Sequence, residues 1–357
     1  MSRFAEDTNV FFLEEPVFVD SATPQLRTVA KMPRLRICTP ELPHGLSQEE
    51  INDAMTGLLD DFFTENDPGE FAFWYYTPMS FSFTRSFDPA LTIYDCMDEL
   101  SAFKFAPASI KSLERRLFNK ADVVFTGGHT LYEEKKSQHY NIHPFPSSID
   151  KAHFLSARSS NIEPEDQAAI PGPKLGFYGV IDERFDIELI RHIATARPDW
   201  HLILIGPVVK IDPATLPQAA NIHYLGCKSY QELPGYLSGW EVALIPFLLN
   251  EATKYISPTK TPEYLAAGKP VVSSAISDVV HPYGKSNLVS IGIGAEDFVA
   301  AINAELNYGD RAGWLEKVDE FLADKSWENT FKQMRDLMRA ALQQEDLTLT
   351  TELKKAS

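Results

Sequence analysis

Ser257-Pro258-Thr259-Lys260-Thr261-Pro262-Glu263-Tyr264-Leu265-Ala266-Ala267-Gly268-Lys269-Pro270-Val271-Val272 reads as a short helix that opens on hydroxyls and a lysine, stops at a glycine and feeds a buried strand. The start of a helix favours anions, because its first backbone N–H groups lack partners within the helix and its dipole is positive there. Lys260 adds a full charge where the chain enters the helix. Glu263, within the first turns, is placed to accept hydrogen bonds from a group beside that anion, such as a ribose diol. Two starts are open: Ser257 as cap with Pro258 first, or Thr261 as cap with Pro262 first. On the second, Glu263 is only an acid favoured by the dipole.

Around this stretch the second half of the chain alternates. Strands are expected at Leu175 to Ile181, His201 to Ile205, Ile222 to Leu225, Val242 to Phe247, Pro270 to Ser274 and Leu288 to Ile291, with helices near Ile187 to Thr195, Tyr230 to Leu237 and Glu263 to Ala267. Continuous apolar strands separated by helices indicate a parallel sheet covered on both faces. Gly179, Gly206 and Gly226 end successive strands, as is needed where backbone approaches a ligand. Arg184, near a helix start, has the fork geometry that clamps a diphosphate, the plain alternative being a pair with Asp182 or Asp186. Helices follow at Glu296 to Leu306, Arg311 to Ala323 and Trp327 to Leu342, the last with an apolar stripe of Phe331, Met334, Leu337, Met338 and Leu342 suited to packing on another domain.

The first half repeats the alternation. Val10 to Leu13, Arg34 to Cys38, Phe71 to Tyr76, Leu91 to Cys96 and Asp122 to Thr126 read as strands, with Pro40 and Pro43 as punctuation; Gln48 to Phe63 (capped by Ser47), Pro107 to Asn119 and Thr130 to Gln138 read as helices. Met1 to Glu6 resembles the tail of a helix, so the first domain is expected to begin without its opening strand and loop. The domains expected are 1–154, a linker over 155–173 rich in acids and prolines, 174–326, a domain-crossing helix at 327–344 and a polar, fraying tail at 345–357. The fold class is α/β: two doubly wound Rossmann-like domains whose strand ends face a cleft.

Composition narrows the function. At 357 residues, 44% hydrophobic and 23% charged, the chain is long enough for two cores, and its longest apolar run, Val242 to Leu249, falls far short of the roughly 18 residues of a membrane span. No signal-like segment opens it, so a cytoplasmic location is expected. Cys38, Cys96 and Cys227 form no CxxC pair, which argues against disulfides or a zinc site. A formal charge of −17 argues against nucleic acid as partner.

Gly179 with Arg184, Ile205-Gly206-Pro207, Tyr224-Leu225-Gly226, Ile245-Pro246-Phe247 and Pro258 through Val272 together resemble the donor domain of GT-B glycosyltransferases of family 4. The resemblance spans the second domain and, more loosely, the first. It implies transfer of a sugar from a nucleotide-diphosphate sugar to a glycan or small-molecule acceptor, with retention, without a cofactor or structural metal, in surface polysaccharide assembly, and with room for peripheral membrane contact. It implies that Arg184 and Lys260 hold the diphosphate, Glu263 the ribose, and the backbone at Leu225 and Gly226 the base, with Gly179 and Thr261 in the same donor site. The family often carries a glutamate eight positions before Glu263; Tyr255 stands there, which leaves the contacts to the donor sugar open.

In the first domain, Tyr94-Asp95-Cys96-Met97-Asp98-Glu99-Leu100-Ser101 places acids at a strand end. Asp98 or Asp95 is the expected catalytic carboxylate, orienting or deprotonating an acceptor hydroxyl, an effect worth roughly 10²–10⁴-fold in rate. A metal held by both lacks an evident third ligand, and helix capping by Asp98 is the plain alternative. Gly127, Gly128 and His129 form a strand-to-helix turn expected on the acceptor side, although an exposed turn residue is the simpler fate of one histidine. A non-catalytic nucleotide-sugar binder is the competing reading. A dinucleotide oxidoreductase lacks its GxGxxG fingerprint.

Overall fold

The computed structural model describes residues 1–160 and 162–356, with side chains described outside 344–357. The expected polar tail at 345–357 therefore has its side chains outside the described residues.

The chain opens with strands β1 (Val10–Leu13), β2 (Val17–Val19), β3 (Gln25–Met32) and β4 (Leu35–Pro43). β4 is their centre: β1 and β2 pair with it in parallel and β3 antiparallel. The expected strand at Arg34 to Cys38 is thus longer than its prolines suggested. Pro40 falls between the residues paired with β1 and those paired with β2, and Pro43 ends the strand, so β4 tolerates two residues that cannot donate. β3 has no counterpart in the sequence reading. All its side chains but a half-buried Leu26 are exposed, so the alternation that marks a half-buried strand is absent.

Helix α1 (Gln48–Asn66) begins as read. The Ser47 hydroxyl accepts from the Glu50 N–H at 3.3 Å while Glu50 Oε2 accepts from the Ser47 N–H at 2.8 Å, a reciprocal cap worth about 1 kcal/mol. Next come β5 (Ala72–Tyr75), β6 (Leu91–Cys96), α2 (Ile110–Lys120), β7 (Val123–Thr126), α3 (His129–Lys135) and β8 (Ile142–Pro144), with sheet order β5-β6-β7-β8. Every residue of β6 and β7 is buried, as strands covered on both faces require.

The second sheet is built from β9 (Lys174–Tyr178), α4 (Ile187–Ala196), β10 (His201–Ile205), β11 (Ile222–Gly226), β12 (Val242–Ile245), α5 (Lys260–Ala266), β13 (Val271–Ser274) and β14 (Ser290–Gly292), followed by α6 (Ala295–Leu306), α7 (Arg311–Phe321) and α8 (Trp327–Ala356). All its pairings are parallel and the order is β11-β10-β9-β12-β13-β14. Direction of progression reverses between β9 and β12. That reversal opens a crevice at the carboxyl ends of the strands, where doubly wound sheets bind their ligands.

The chain forms two compact units: Met1–Cys96 with Pro107–Val124 and the segment from Met334 on, and Met97–Ala106 with Phe125–Gln333. Asp95 falls in the first and Asp98 in the second. The stretch 155–173 is packed onto the second unit. Gln167, fully buried, donates to the Tyr236 carbonyl at 2.9 Å and accepts from Trp240 Nε1 at 2.8 Å, and Lys174 pairs with Glu163 at 2.5 Å. Its polar composition is spent on satisfying buried groups.

Candidate functional site

Within the second unit, three adjacent strands end in glycines of positive φ: Gly179 (137°), Gly206 (138°) and Gly226 (70°). They are laid edge to edge. The Gly179 N–H donates to the Ile205 carbonyl at 2.8 Å and that of Gly206 to the Gly226 carbonyl at 2.9 Å. A Cβ on Gly206 would stand 1.9 Å from the Gly179 carbonyl oxygen, so any side chain there would break the terrace. Gly226 is exposed beside a half-buried Leu225, with nothing within 4 Å of where its Cβ would be, which leaves backbone accessible at this edge.

Lys260 crosses this terrace. Its stem covers Gly179, and its ammonium lies 5.6 Å from the Phe177 ring centroid and 5.7 Å from that of Phe247. Among the described residues it has no carboxylate within ion-pair distance. Burial pushes its pKa below the ordinary lysine value, with Glu263 pulling it back up. Glu263 accepts from the Tyr178 hydroxyl at 2.5 Å, and burial raises its pKa while Tyr178 and Lys260 lower it. The helix start differs from both readings. The cap position of α5 is Thr259, in helical conformation and without a side-chain hydrogen bond, so neither Ser257 nor Thr261 caps it. The Thr261 N–H reaches the Pro258 carbonyl at 3.1 Å in a tight first turn, and Pro262 is tolerated because N–H groups of that turn lack helical partners anyway. Thr261 is fully buried and its hydroxyl oxygen has no hydrogen-bond partner among the described residues.

Arg184 is paired as its plain alternative foresaw. Nε and Nη2 grip the Asp182 carboxylate, the shortest contact being 2.7 Å, and the Arg184 N–H donates to the same group at 3.0 Å. Asp186 instead caps α4 by accepting from the Leu189 N–H at 2.9 Å. A buried Asp182 that fixes a partly exposed guanidinium orients it without removing it from solvent. Asp98 belongs to the same electrostatic neighbourhood: burial raises its pKa and the Arg184 charge draws it down. The short turn Leu100–Ala102 has Glu99, not Asp98, at its cap position.

The turn Gly127-Gly128-His129 is tighter than the sequence suggests. A Cβ at Gly127 would meet the Met97 carbonyl oxygen at 2.3 Å, and one at Gly128 the Asp278 carboxylate at 2.2 Å. Asp278 accepts from the N–H groups of His129 and Thr130, both at 2.9 Å, and from the Thr130 hydroxyl at 2.5 Å. Gly127 thus admits a backbone carbonyl and Gly128 a carboxylate of the protein itself, and His129 is exposed. Glu99, the third acid after β6, pairs with the buried Lys135 at 2.8 Å.

In the first unit, Asp95 is buried and accepts from Trp74 Nε1 at 3.1 Å. Burial raises its pKa to about 7 against the opposing pull of Trp74. Sequence reasoning passed over Tyr178 and Asp278. Tyr178 precedes Gly179 in the strand, but nothing local says that its partner is Glu263; Asp278 lies 148 residues from Thr130.

Residues 172–307 match the family described as glycosyl transferases group 1. TuaH of Bacillus subtilis (strain 168), provisionally named as a teichuronic acid biosynthesis glycosyltransferase, is 25% identical over 303 residues, which cover 78% of this chain and 75% of that one. Among solved structures, sucrose-phosphate synthase from Thermosynechococcus elongatus aligns with a TM-score of 0.62 at 15% identity, covering 100% of this chain and 92% of its own. An E. coli trehalose-6-phosphate structure bound with UDP-2-fluoro glucose aligns with a TM-score of 0.65 at 12% identity, covering 92% of each chain. Among the described residues, no helix is long and apolar enough to cross a membrane and no three His, Cys, Asp or Glu side chains cluster as a metal site.

Proposed function

We propose, from the match of residues 172–307 to the group 1 glycosyltransferases and from the GT-B fold, that the second unit binds a nucleotide-diphosphate sugar and transfers the sugar, with retention, to an acceptor hydroxyl. The observation that carries the donor site is Lys260: a half-buried ammonium over a glycine terrace, its pKa depressed by burial, with no carboxylate within ion-pair distance among the described residues. An anion beside it restores the charge that burial disfavours.

In this reading Lys260 and the Asp182-held Arg184 take the diphosphate, Glu263 and its Tyr178 partner take the ribose hydroxyls, the Leu225–Gly226 backbone takes the base, and Gly179 and Thr261 complete the wall. As the bond from the anomeric carbon to the phosphate oxygen breaks, negative charge grows on the leaving diphosphate. Two fixed cations stabilise that charge more than the ground state, which is how they accelerate the step. The acceptor oxygen bonds to the same carbon and its proton is taken up by a base. Asp98, which shares the Arg184 field, is the proposed carboxylate for orienting or deprotonating that hydroxyl. Asp95 remains a second candidate on chemistry alone, its pKa of about 7 suiting proton exchange. No metal or cofactor is assigned a role.

The proposed setting is surface polysaccharide or glycoconjugate synthesis in the cytoplasm, a reading supported by the name of the Bacillus subtilis relative. Calorimetric titration of UDP and GDP into the protein and into Lys260→Ala and Glu263→Ala tests the donor site. Binding weakened at least tenfold in both variants is expected, and unchanged affinity in both overturns the assignment.

A further inference from the structure

The loop Met97–Ala106 lies in the same compact unit as the donor-side residues. Its Phe103 ring is shared by two cations: the Arg184 guanidinium carbon lies 6.0 Å from its centroid and the Lys210 ammonium 5.8 Å from it. Lys210 follows β10 with φ of 62°, the left-handed region that a lysine rarely occupies and that is concentrated at binding sites. Asp182, the clamp of Arg184, feels both positive charges. Lys210 is exposed and forms no ion pair among the described residues, and besides the Asp182 carboxylate, which is bound to Arg184, an aromatic face lies against both cations.

An aromatic face attracts cations through its quadrupole alone, far more weakly than phosphate oxygens do through charge and directed hydrogen bonds. Resting on the donor-site reading above, we propose that Lys210 is a further phosphate-contacting residue of the donor site, and that Phe103 competes with the diphosphate for Lys210 and Arg184, which makes the Met97–Ala106 loop a gate. Displacing the ring frees Arg184 on the side that Asp182 does not hold and moves the part of the loop beyond the Glu99–Lys135 pair, where Phe105 is 80% exposed. The gate and the carboxylate of Asp98 lie on one segment, so donor binding and the placement of Asp98 are coupled.

The test is titration of UDP, GDP, inorganic pyrophosphate and uridine into the protein and into Lys210→Met, Phe103→Leu and Arg184→Ala. Lys210→Met keeps the aliphatic stem and Phe103→Leu keeps apolar volume while removing the ring. Expected are UDP and pyrophosphate binding weakened about tenfold in Lys210→Met with uridine unchanged, and tightened about three- to tenfold in Phe103→Leu, the scale of losing two exposed cation–aromatic contacts. Unchanged UDP binding in Lys210→Met, an equal loss for uridine, or unchanged or weaker binding in Phe103→Leu overturns the proposal. Arg184→Ala separates the levels: if it weakens nucleotide binding while the other two variants do nothing, the gate fails and the donor site stands. If it too does nothing, both fail.

Discussion

Lys260 lies so close over Gly179 that a Cβ at residue 179 would stand 2.3 Å from its Cε and 2.7 Å from its ammonium. The glycine and the lysine are therefore one device: the backbone at φ of 137° leaves the space that the side chain fills. Gly179→Ala strains the backbone and moves Lys260 together. The expected outcome is a loss of about 1–3 kcal/mol in urea denaturation and UDP binding weakened more than tenfold, whereas Gly226→Ala, with open space around it, loses stability through strain alone.

The lowered pKa of Lys260 sets a pH dependence. A diphosphate raises that pKa, so binding takes up a proton; affinity is full below the free-site pKa and is lost as pH rises toward the bound-site value. UDP affinity is expected to fall with rising pH from below the ordinary lysine pKa of about 10.4. Lys260→Met removes this slope. Calorimetry in buffers of different ionisation enthalpy checks the proton uptake directly.

Tyr178 donates to Glu263 at 2.5 Å and so holds the carboxylate in one orientation. Tyr178→Phe is expected to weaken UDP binding by about five- to twentyfold, as for loss of a hydrogen bond to a charged group. Binding of 2′-deoxy-UDP, which lacks one of the hydroxyls assigned to Glu263, changes less. Equal losses for the two nucleotides contradict the ribose role.

Asp278 is buried and satisfies three donors at the start of α3. Asp278→Ala leaves those donors unpaired and is expected to cost about 2–4 kcal/mol by chemical denaturation. Asp278→Asn, which keeps one acceptor oxygen, costs less.

Asp95 gives the opposite sign. Its folded pKa of about 7 exceeds that of an exposed aspartate, so the folded state binds the extra proton and the residue costs stability as pH rises from about 4 through 7. Asp95→Asn is expected to raise the melting temperature at pH 8, by a stability on the order of 4 kcal/mol at most, and to have little effect near pH 4. A transferase assay on the same variant decides its catalytic candidacy: retained activity leaves Asp98 as the base.

The six-stranded sheet was legible because its central strands β9, β10 and β12 are apolar runs closed by glycine or proline, and burial on both faces writes itself into consecutive residues. α1 was legible for another local reason, its helical apolar spacing behind the cap residue Ser47. β3 was not, since a strand with both faces exposed leaves no period to read, and β4 was cut short by prolines whose missing donors fall in a gap or at a strand end.

What the sequence determined by itself was therefore the set of chemical groups and the local backbone that carries them: Gly179, Gly206 and Gly226 at strand ends, Lys260 and Glu263 at a helix start, Arg184 beyond β9. Tertiary structure decided which groups answer one another. It gave the turn donors at His129 and Thr130 to Asp278 and Glu99 to Lys135, and left Lys260 with a glycine and two rings in place of a carboxylate. Local sequence encodes conformation through propensity and burial. Arg184 is held by Asp182 two residues before it, whereas the pKa of Lys260 depends on desolvation by Gly179, Phe177 and Phe247, which are distant along the chain and become its neighbours only when the sheet assembles.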